Sequence, residues 1–328
     1  MKKLIVAFSL LLSVFFALSC SKTSQQSGKK LTIAVIPKGT THEFWKSIHA
    51  GADKAAGEYS AQGTNVEIIW KGPLREDERE GQIQVVEGFI SQGISGIVLA
   101  PLDDRALIRP VEEAKRAGVP TVIIDSGLQS DQIVSFVATD NYKGGTLAAD
   151  RMGELLSGKG KILMLRYQEG SASTEQREAG FMTEIKTKFP GIEVISSNQY
   201  AGPTRDTAKA ASENLLNRFG NDIQGIFTPN ESSTTGMLLA LQDMKLAGKV
   251  VFVGFDSSPS FIAAMRSKQM DGTVLQSPFN MGYLGVKTMV EHLQGKSVAK
   301  RIDTGVVLVT PDNLDDPKIK DLLQPPVK

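Results

Sequence analysis

Short apolar runs alternate with longer amphipathic segments from residue 31 almost to the end of the chain, and this alternation restricts the fold more than any other feature. The apolar runs predict strands at residues 31–37, 66–70, 96–101, 120–125, 135–139, 161–165, 192–196, 225–228, 250–255, 272–276 and 305–309. The segments between them predict helices at residues 43–59, 82–92, 106–117, 143–156, 204–219, 234–246 and 280–293. Continuous apolar strands that alternate with helices indicate parallel sheets covered by helices on both faces. The sequence therefore predicts an α/β protein.

The strand–helix pattern occurs twice, over residues 31–138 and again over residues 139–276. A chain of 328 residues, at about 150 residues per domain, also has the length of two domains. Because no segment rich in proline, glycine and serine separates the halves, we expect short paired crossings between them. We therefore predict two doubly wound parallel-sheet lobes with a hinge. The predicted N-terminal lobe is 31–138 plus 277–304, and the predicted C-terminal lobe is 139–276 plus 305–328.

Residues 1–19 have the features of a secretory signal peptide. Two lysines precede an apolar run that ends at Leu18 and is shorter than the roughly 20 apolar residues of a membrane-spanning helix. Cys20 is the only cysteine, so an intramolecular disulfide cannot form. The segment before Cys20 resembles the bacterial lipobox, which implies lipidation and anchoring on the periplasmic side of the membrane; the alternative is an ordinary signal peptide with a chance cysteine. Residues 20–30 are small and polar and predict a flexible tether.

The sequence lacks the motifs that mark common enzyme and metal sites. The three histidines, His42, His49 and His292, are not spaced as zinc ligands. A serine-hydrolase elbow and a dinucleotide-binding glycine motif after the first strand are also missing. With 37 basic and 36 acidic residues and no basic cluster, the charge does not favour a nucleic-acid partner. We therefore expect a binding protein without cofactor or metal, and not an enzyme.

Polar side chains stand at the ends of several predicted strands in both halves of the chain. Asp125, Asn230, Asp256 and Gln276 end strands, and Arg177 stands near the start of a helix. Side chains of these types can make two hydrogen bonds each to neighbouring hydroxyl groups. Capping of the following helix is the competing explanation for each of them. Because strand ends and helix starts of open α/β sheets face the ligand cleft, we predict that these five side chains bind a ligand between the lobes.

Two adjacent aromatic residues, Phe44 and Trp45, follow the first strand and a polar loop. Aromatic faces pack on the C–H faces of pyranose or furanose rings, while nearby polar groups bind the ring hydroxyls. The alternative is that one of the rings only fastens the helix to its sheet. The aromatic pair therefore favours a small sugar or sugar-like molecule as the ligand.

Short segments between residues 31 and 309 also match one known family in order and spacing. They are Phe44-Trp45, Gly51-Ala52, Val98-Leu-Ala-Pro101, Gly118-Val-Pro120, Asp125, Ala138-Thr-Asp-Asn141, Gly144-Gly145, Arg177, Gly180-Phe181, Asn230, Val253-Gly-Phe-Asp256 and Gln276. With these segments the chain resembles periplasmic sugar-binding proteins of the ribose-binding type, which share their fold with the ligand-binding part of lactose-repressor-like regulators. The resemblance implies a type I periplasmic-binding-protein fold that closes on its ligand by hinge motion.

The resemblance also implies roles for individual residues. Phe44 and Trp45 would stack on the sugar ring, and Asp140 would lie near the crossing between the lobes. The side chains that would bind hydroxyls are Asp125, Arg177, Asn230, Asp256 and Gln276. The implied partners are a membrane permease and its ATPase, which receive the solute from the closed protein. We expect the binding protein itself to be a monomer.

Several positions depart from the ribose-type pattern. Ser126 stands where the family often has arginine, and His42-Glu43 replaces the usual Asn-Pro pair. Lys38, Gly72-Pro73 and Asp125-Ser126 look instead like the rhamnose and autoinducer-2 binding branch. The further candidate ligand-binding residues are Lys38, His42, Arg75, Asp77, Ser126 and Asp140.

Residues 71–80 are more charged than expected for a strand end that faces the cleft. If Arg75 or Asp77 points inward, the ligand is more polar than a simple pentose. The alternative is that the segment is a solvated start of a helix. Ribose is therefore not assumed to be the ligand.

Our first choice of function is the substrate-binding component of an ABC-type sugar importer, which binds a monosaccharide or sugar-like solute in the interlobe cleft. The same site would also serve a sensor that docks on a chemoreceptor or histidine kinase, including a sensor for autoinducer-2-like furanosyl signals. A periplasmic sugar-modifying enzyme would need an acid/base pair, and glycosidase carboxylates stand roughly 5–9.5 Å apart. Asp125 and Asp256 could face each other, but the sequence requires no more of them than binding. The segment before residue 31 has no DNA-binding helices, which argues against a transcription factor.

Overall fold

The computed structural model describes residues 30–323, which form twelve β-strands and ten α-helices. The strands are β1 (Leu31–Ile36), β2 (Val66–Trp70), β3 (Gly96–Leu99), β4 (Thr121–Ile124), β5 (Ser135–Ala138), β6 (Lys159–Arg166), β7 (Gly191–Tyr200), β8 (Gly225–Phe227), β9 (Val251–Phe255), β10 (Gly272–Leu275), β11 (Arg301–Asp303) and β12 (Val307–Val309). The helices are α1 (Glu43–Ala61), α2 (Arg79–Gln92), α3 (Ile108–Arg116), α4 (Asn141–Leu155), α5 (Ala172–Lys188), α6 (Arg205–Phe219), α7 (Glu231–Asp243), α8 (Pro259–Arg266), α9 (Pro278–Leu293) and α10 (Pro317–Leu323). The predicted signal peptide, Cys20 and the predicted tether up to residue 29 lie outside the described residues.

The strands form two six-stranded sheets of the same order, β2-β1-β3-β4-β5-β11 and β7-β6-β8-β9-β10-β12. β12 pairs antiparallel with β10, and the other pairings among the described strands are parallel. In each sheet the first strand lies between the second and the third, so the connections switch from one face of the sheet to the other at this point. The predicted fold, α/β with two doubly wound parallel-sheet lobes, is therefore confirmed.

Each sheet is covered by helices on both faces, as the apolar strand sequences indicate. Two hydrophobic clusters lie on the two faces of the first sheet, and two more lie on the faces of the second. Strands β3 and β4, in the middle of the first sheet, are buried at every residue. None of the helices within residues 30–323 is long and apolar enough to cross a lipid bilayer.

The chain crosses between the lobes after β5, after β10 and after β11. After β10 it returns to the first lobe as α9, which packs closely on α1. This close approach requires glycine: a Cβ atom on Gly51 would lie 1.9 Å from the Phe279 carbonyl oxygen, and one on Gly282 would lie 1.9 Å from the Ile48 carbonyl oxygen. Two of the crossings are bonded to each other, because the Thr139 hydroxyl donates to the Gly305 carbonyl oxygen at 3.1 Å. The predicted lobe boundaries at these crossings stay a prediction.

Three short elements were not predicted from the sequence, and some observed ends differ from the predicted ones. Helices α8 and α10 have 8 and 7 residues, and so few turns give little helical periodicity to recognise. Strand β11 has 3 residues and is largely exposed at the sheet edge, so it has no apolar run. Strand β7 continues to Tyr200, four residues past its predicted end at residue 196. The end was predicted too early because the last residues of the strand are exposed and polar and do not extend the apolar run.

Candidate functional site

The carboxyl ends of the strands of both sheets face one cleft, and a cavity in this cleft is lined by residues of both lobes. We call it the inner pocket, and its lining residues are Lys38, His42, Phe44, Trp45, Glu76, Asp125, Tyr167, Ser171, Ser173, Thr174, Arg177, Asn230, Glu231, Asp256 and Gln276. The structure therefore brings together all seven main candidate residues from the sequence, together with Lys38 and His42. Glu76, Tyr167 and Glu231 were not predicted.

Asp125 and Asp256 occupy equivalent positions in the two lobes. Each follows the fourth strand of its sheet, β4 or β9, and each has a positive φ, 62° for Asp125 and 69° for Asp256. Each backbone N–H donates to the neighbouring strand, to the carbonyl oxygen of Val137 at 3.1 Å and of Val274 at 2.8 Å. A left-handed conformation is unusual outside glycine and clusters at functional sites. This shared turn places one carboxylate from each lobe in the inner pocket.

Arg177 on α5 is fixed on three sides in the wall of the second lobe. Its Nε donates to Asn141 Oδ1 and its Nη1 donates to the Pro229 carbonyl oxygen, both at 2.9 Å. Its guanidinium lies 4.0 Å from the centre of the Phe255 ring, in cation–π geometry. Burial lowers the pKa of Arg177, while the charges of Asp256 and Asp125 act in the opposite direction. Nη2 is buried without a hydrogen-bond partner among residues 30–323, so a donor is available to a ligand.

Gln276 supplies a matching free acceptor. Its Nε2 donates to Asp256 Oδ1 at 2.6 Å, which fixes the orientation of the amide. Its Oε1 is buried and has no partner within the described part of the chain. Buried polar atoms are nearly always hydrogen-bonded, and a hydroxyl group can both accept from Arg177 and donate to Gln276. The two atoms therefore suit hydroxyl groups of a bound molecule.

Lys38 crosses the cleft from the first lobe to the second. Its ammonium group lies 3.2 Å from Asp125 Oδ2 and donates to the hydroxyls of Ser171 at 3.3 Å and Ser173 at 3.2 Å. Ser126 joins this group, because its hydroxyl accepts from the backbone N–H of Ser173 at 3.1 Å. Lys38 is only 3% exposed. A buried cation with this many partners is held as a fixed donor rather than as a surface charge.

Glu76 is the side chain of the charged segment that points into the pocket. Its Oε1 accepts from Trp45 Nε1 at 2.6 Å and from His42 Nδ1 at 2.7 Å, and its Oε2 accepts from the Tyr167 hydroxyl of the other lobe. Arg75 and Asp77, on either side, pair with each other at 3.0 Å near the surface. Arg75 and Asp77 therefore do not point inward, as one hypothesis from the sequence required. They form a solvated charge pair instead, in agreement with the alternative.

The buried pair of His42 and Glu76 is ionised. Burial alone would lower the pKa of His42, but the charge and hydrogen bond of Glu76 outweigh it and raise this pKa to about 9. Burial alone would raise the pKa of Glu76, but His42, Lys38 and Tyr167 together lower it to about 2. At neutral pH the pair therefore carries one positive and one negative charge.

Glu231 of the second lobe binds the start of α1 in the first lobe. Its carboxylate accepts from the backbone N–H groups of Phe44 at 3.1 Å and Glu43 at 3.4 Å, and from Arg205 Nη2 at 2.7 Å. A carboxylate is favourable at a helix N-terminus, where backbone N–H groups are otherwise unsatisfied. The backbone N–H of Glu231 also donates to Asp256 Oδ2 at 2.9 Å. Glu231 thus joins the lobes directly beside the pocket.

The remaining candidates differ in their positions. Asn230 lines the pocket and also caps α7 through a capping box with Ser233, so its capping role is observed and its contact with a ligand stays a prediction. Trp45 is 3% exposed and packs in the core of the first lobe, whereas the half-buried Phe44 lies edge-on to it, with ring centres 5.0 Å apart. Asp140 lies at the first crossing, as expected, but it is exposed, caps α4 through the Lys143 N–H, and does not line the pocket.

The charges around the inner pocket balance. Three pairs are in contact, Lys38 with Asp125, His42 with Glu76, and Arg205 with Glu231. Arg177 and Asp256 form the fourth pair: burial raises the pKa of Asp256 to about 6, and Arg177 and Gln276 act against this rise. Residues 30–323 contain no group of three or more His, Cys, Asp or Glu side chains arranged to hold a metal ion.

Comparison with known proteins places the chain in a family. The family model described as periplasmic binding protein domain matches residues 33–297. The ribose import binding protein of Bacillus subtilis is 30% identical over 314 residues, which cover 93% of this chain and 98% of that protein. The D-allose-binding periplasmic protein of Escherichia coli is 30% identical over 269 residues, which cover 79% of this chain and 83% of that protein.

Solved structures show the same similarity over both lobes. A carbohydrate transporter solute-binding protein from Agrobacterium radiobacter, in complex with D-arabinose, has a TM-score of 0.85 at 34% identity and covers 91% of this chain and 100% of its own. An ABC transporter solute-binding protein from Agrobacterium vitis with bound D-fucose has a TM-score of 0.84 at 34% identity, with 89% and 100% covered. The type I fold and the family resemblance expected from the sequence are thus confirmed. The chain belongs to the periplasmic binding protein family, among its sugar-binding members.

Proposed function

We propose that this protein is the substrate-binding component of an ABC-type importer, which takes up an uncharged monosaccharide in the interlobe cleft and delivers it to a membrane permease and its ATPase. The observation that carries the proposal is the pair of buried, unpartnered atoms in the inner pocket, Arg177 Nη2 and Gln276 Oε1. Together they suit hydroxyl groups, which donate and accept at once.

The balanced charges of the pocket support an uncharged ligand. Each carboxylate in the wall already has a cationic neighbour. A sugar acid or sugar phosphate would add a charge without a buried partner, which is costly in a desolvated site. Two of the similar proteins are named for the binding of ribose and D-allose, and two of the similar structures contain D-arabinose and D-fucose. All four sugars are uncharged.

The location of the protein is part of the same proposal. The family name places its members in the periplasm, and we propose that the chain is exported and anchored through a lipid on Cys20 at the periplasmic side of the membrane. The sequence basis is the signal-like segment that ends in the only cysteine. We further propose that the binding protein acts as a monomer and without enzymatic turnover.

A thermal-shift screen tests the proposed ligand class. The panel contains D-ribose, D-arabinose, D-allose, D-fucose and L-rhamnose, with D-glucuronate and D-ribose 5-phosphate as matched charged compounds. At 100 times its Kd a ligand adds about 2.7 kcal/mol to the free energy of unfolding, which raises the Tm of a protein of this size by about 4 °C. We expect this rise for at least one neutral sugar, recovered chemically unchanged. A rise only with the charged compounds would contradict the proposal.

Exchanging Glu231 for glutamine is expected to weaken sugar binding by at least about 10-fold. The substitution removes the charge that holds the start of α1 against the second lobe, and hydrogen bonds to charged groups contribute about 1.5–3 kcal/mol each. Isothermal titration gives the Kd, and Asp53→Asn, at an exposed carboxylate on α1 that lines neither cavity, is the matched control. An unchanged Kd in folded Glu231→Gln protein would show that this contact does not contribute to closure.

A further inference from the structure

A second cavity adjoins the inner pocket and shares three of its lining residues, Phe44, Asp256 and Gln276. We call it the outer chamber. Its volume is about 320 Å³, against about 30 Å³ for the inner pocket. Pockets that bind small molecules commonly measure about 300–1,000 Å³. The outer chamber therefore has the size of a binding site, and it lies next to the site of the proposed sugar.

The two ends of the outer chamber differ in polarity. The end shared with the inner pocket carries the Asp256 carboxylate and the Gln276 amide. The other end is apolar and is formed by α8, α9 and α10, with side chains of Pro259, Ile262, Pro278, Leu322 and Leu323. A molecule with hydroxyl groups at one end and an apolar group at the other would match this gradient.

The two charged residues at the rim of the chamber, Glu43 and Lys46, add no net charge to it. Glu43 and Lys46 pair with each other at 2.8 Å. Ser47 and Gln276 both line the chamber. Each carries a buried side-chain oxygen that lacks a hydrogen-bond partner in residues 30–323.

We propose that the outer chamber is a second subsite for the same ligand, which takes an uncharged apolar substituent, such as an aryl or alkyl aglycone, of the sugar held in the inner pocket. The inference rests on the proposed sugar-binding function. Phe44 from the first lobe and Ile262, Leu322 and Leu323 from the second lobe would then enclose the substituent from opposite sides. An apolar substituent would contribute to affinity by removing these side chains from water.

The test compares free sugars with their methyl and phenyl glycosides. The probes are D-glucose, D-galactose and D-ribose, each as free sugar, methyl glycoside and phenyl glycoside in both anomers, titrated into the protein by calorimetry. We expect at least one phenyl glycoside to bind at least 10-fold more tightly than its methyl glycoside, which corresponds to about 1.4 kcal/mol. Leu322→Ser should remove most of this gain while leaving the affinity for the free sugar or methyl glycoside within about 2-fold. Leu239→Ser, at an exposed leucine on α7, is the matched control and should change neither.

The outcomes separate this inference from the proposed function. If sugars bind but phenyl glycosides bind no more tightly than methyl glycosides, the subsite is disproved and the sugar site stands. If neither these probes nor the neutral sugars of the thermal-shift screen bind, both proposals fail together. If Leu322→Ser does not fold, Ile262→Thr on α8 tests the same wall from another helix. Phenyl glycoside binding that appears only after removal of residues 324–328 would assign the chamber to the chain's own C-terminus and overturn the proposal.

Discussion

Replacing Asp256 with alanine is expected to weaken sugar binding by at least about 100-fold. Both carboxylate oxygens are in use: Oδ1 accepts from Gln276 Nε2 at 2.6 Å, and Oδ2 accepts from the Glu231 N–H at 2.9 Å. Without them the Gln276 amide loses its fixed orientation and the buried charge of Arg177 loses its compensation. A carboxylate can accept further hydrogen bonds from sugar hydroxyls. Hydrogen bonds to a charged group contribute about 1.5–3 kcal/mol each, so losing two to the ligand would cost about 3–6 kcal/mol, or at least 100-fold in Kd.

Backbone conformation has to be separated from chemistry in this experiment. Asp256 has φ at 69°, where alanine is strained by about 1–2 kcal/mol, so Asp256→Ala should also have a lower Tm. Asparagine tolerates this conformation, but its amide can accept at only one of the two oxygen positions. We therefore expect Asp256→Asn to retain most of the stability and to bind sugar with an affinity between those of wild type and Asp256→Ala.

Calorimetric titration of each variant with the sugar found by thermal shift gives the Kd, and a melting curve gives the Tm. Asp140→Ala is the matched control, because Asp140 is an exposed carboxylate at a crossing between the lobes and should leave the Kd within about 2-fold. A folded Asp256→Ala variant that binds sugar as tightly as wild type would refute the assignment of Asp256 to the site.

The sequence was informative wherever regular strands decide which way a side chain faces. Asp125, Asp256 and Gln276 directly follow buried strands, and the carboxyl ends of parallel strands must meet at one edge of the sheet. Their place in one pocket could therefore be predicted without knowing the angle between the lobes. The order of strands in each sheet was not predicted, because short apolar strands joined by helices reduce the possible orders to a few without selecting one.

Glu76 could not be selected from the sequence, because it lies in an irregular segment between β2 and α2. Helical or strand periodicity would show which charged side chain points inward, and this segment has neither. Arg75 and Asp77 were considered instead, and the residue between them proved to be buried. Its burial depends on donors from distant positions, His42, Trp45 and Tyr167, which only the folded chain brings together.

Tyr167 and Glu231 were missed for different reasons. Tyr167 immediately follows β6, so the rule applied to the other strand ends could have found it had the strand not been predicted to end at residue 165. Glu231 follows Asn230 at the start of α7, where an acidic residue is explained by the helix dipole alone. Its contact with Phe44 and Glu43 crosses the cleft, and the packing of one lobe against the other is not encoded in any local pattern.

The free energy of unfolding is expected to fall by roughly 2–3 kcal/mol as the pH rises from 6.5 to 9, because folding raises the pKa of His42 from 6.5 to about 9. A group whose pKa is raised by folding stabilises the folded state fully when the pH is below its pKa in the unfolded chain. This stabilisation is lost as the pH rises through its pKa in the folded protein. The charged groups that act on His42 are Glu76 and Glu231, which raise its pKa, and Arg205, which lowers it.

Two other groups of the pocket titrate in separate windows. The pKa of Glu76 is lowered from 4.5 to about 2, so its stabilisation is present above pH 4.5 and is lost as the pH falls through 2. Burial raises the pKa of Asp256 from 3.8 to about 6. This group therefore lowers the free energy of unfolding as the pH rises from 3.8 to 6. Of these three pocket groups, only His42 has its folded-state pKa within the window from pH 6.5 to 9.

Glu76→Gln separates the pair from the rest of the protein. Without the carboxylate, burial becomes the dominant influence on His42 and lowers its pKa, so the decrease in unfolding free energy between pH 6.5 and 9 should disappear. The measurement is urea unfolding at several pH values, with an NMR titration of the His42 ring as a direct readout. Asp77→Asn, one residue away at the partly exposed Arg75 pair, is the matched control and should keep the decrease. If Glu76→Gln folds and shows the same pH dependence as wild type, His42 is not the source of the effect and the ionised pair is not formed in solution.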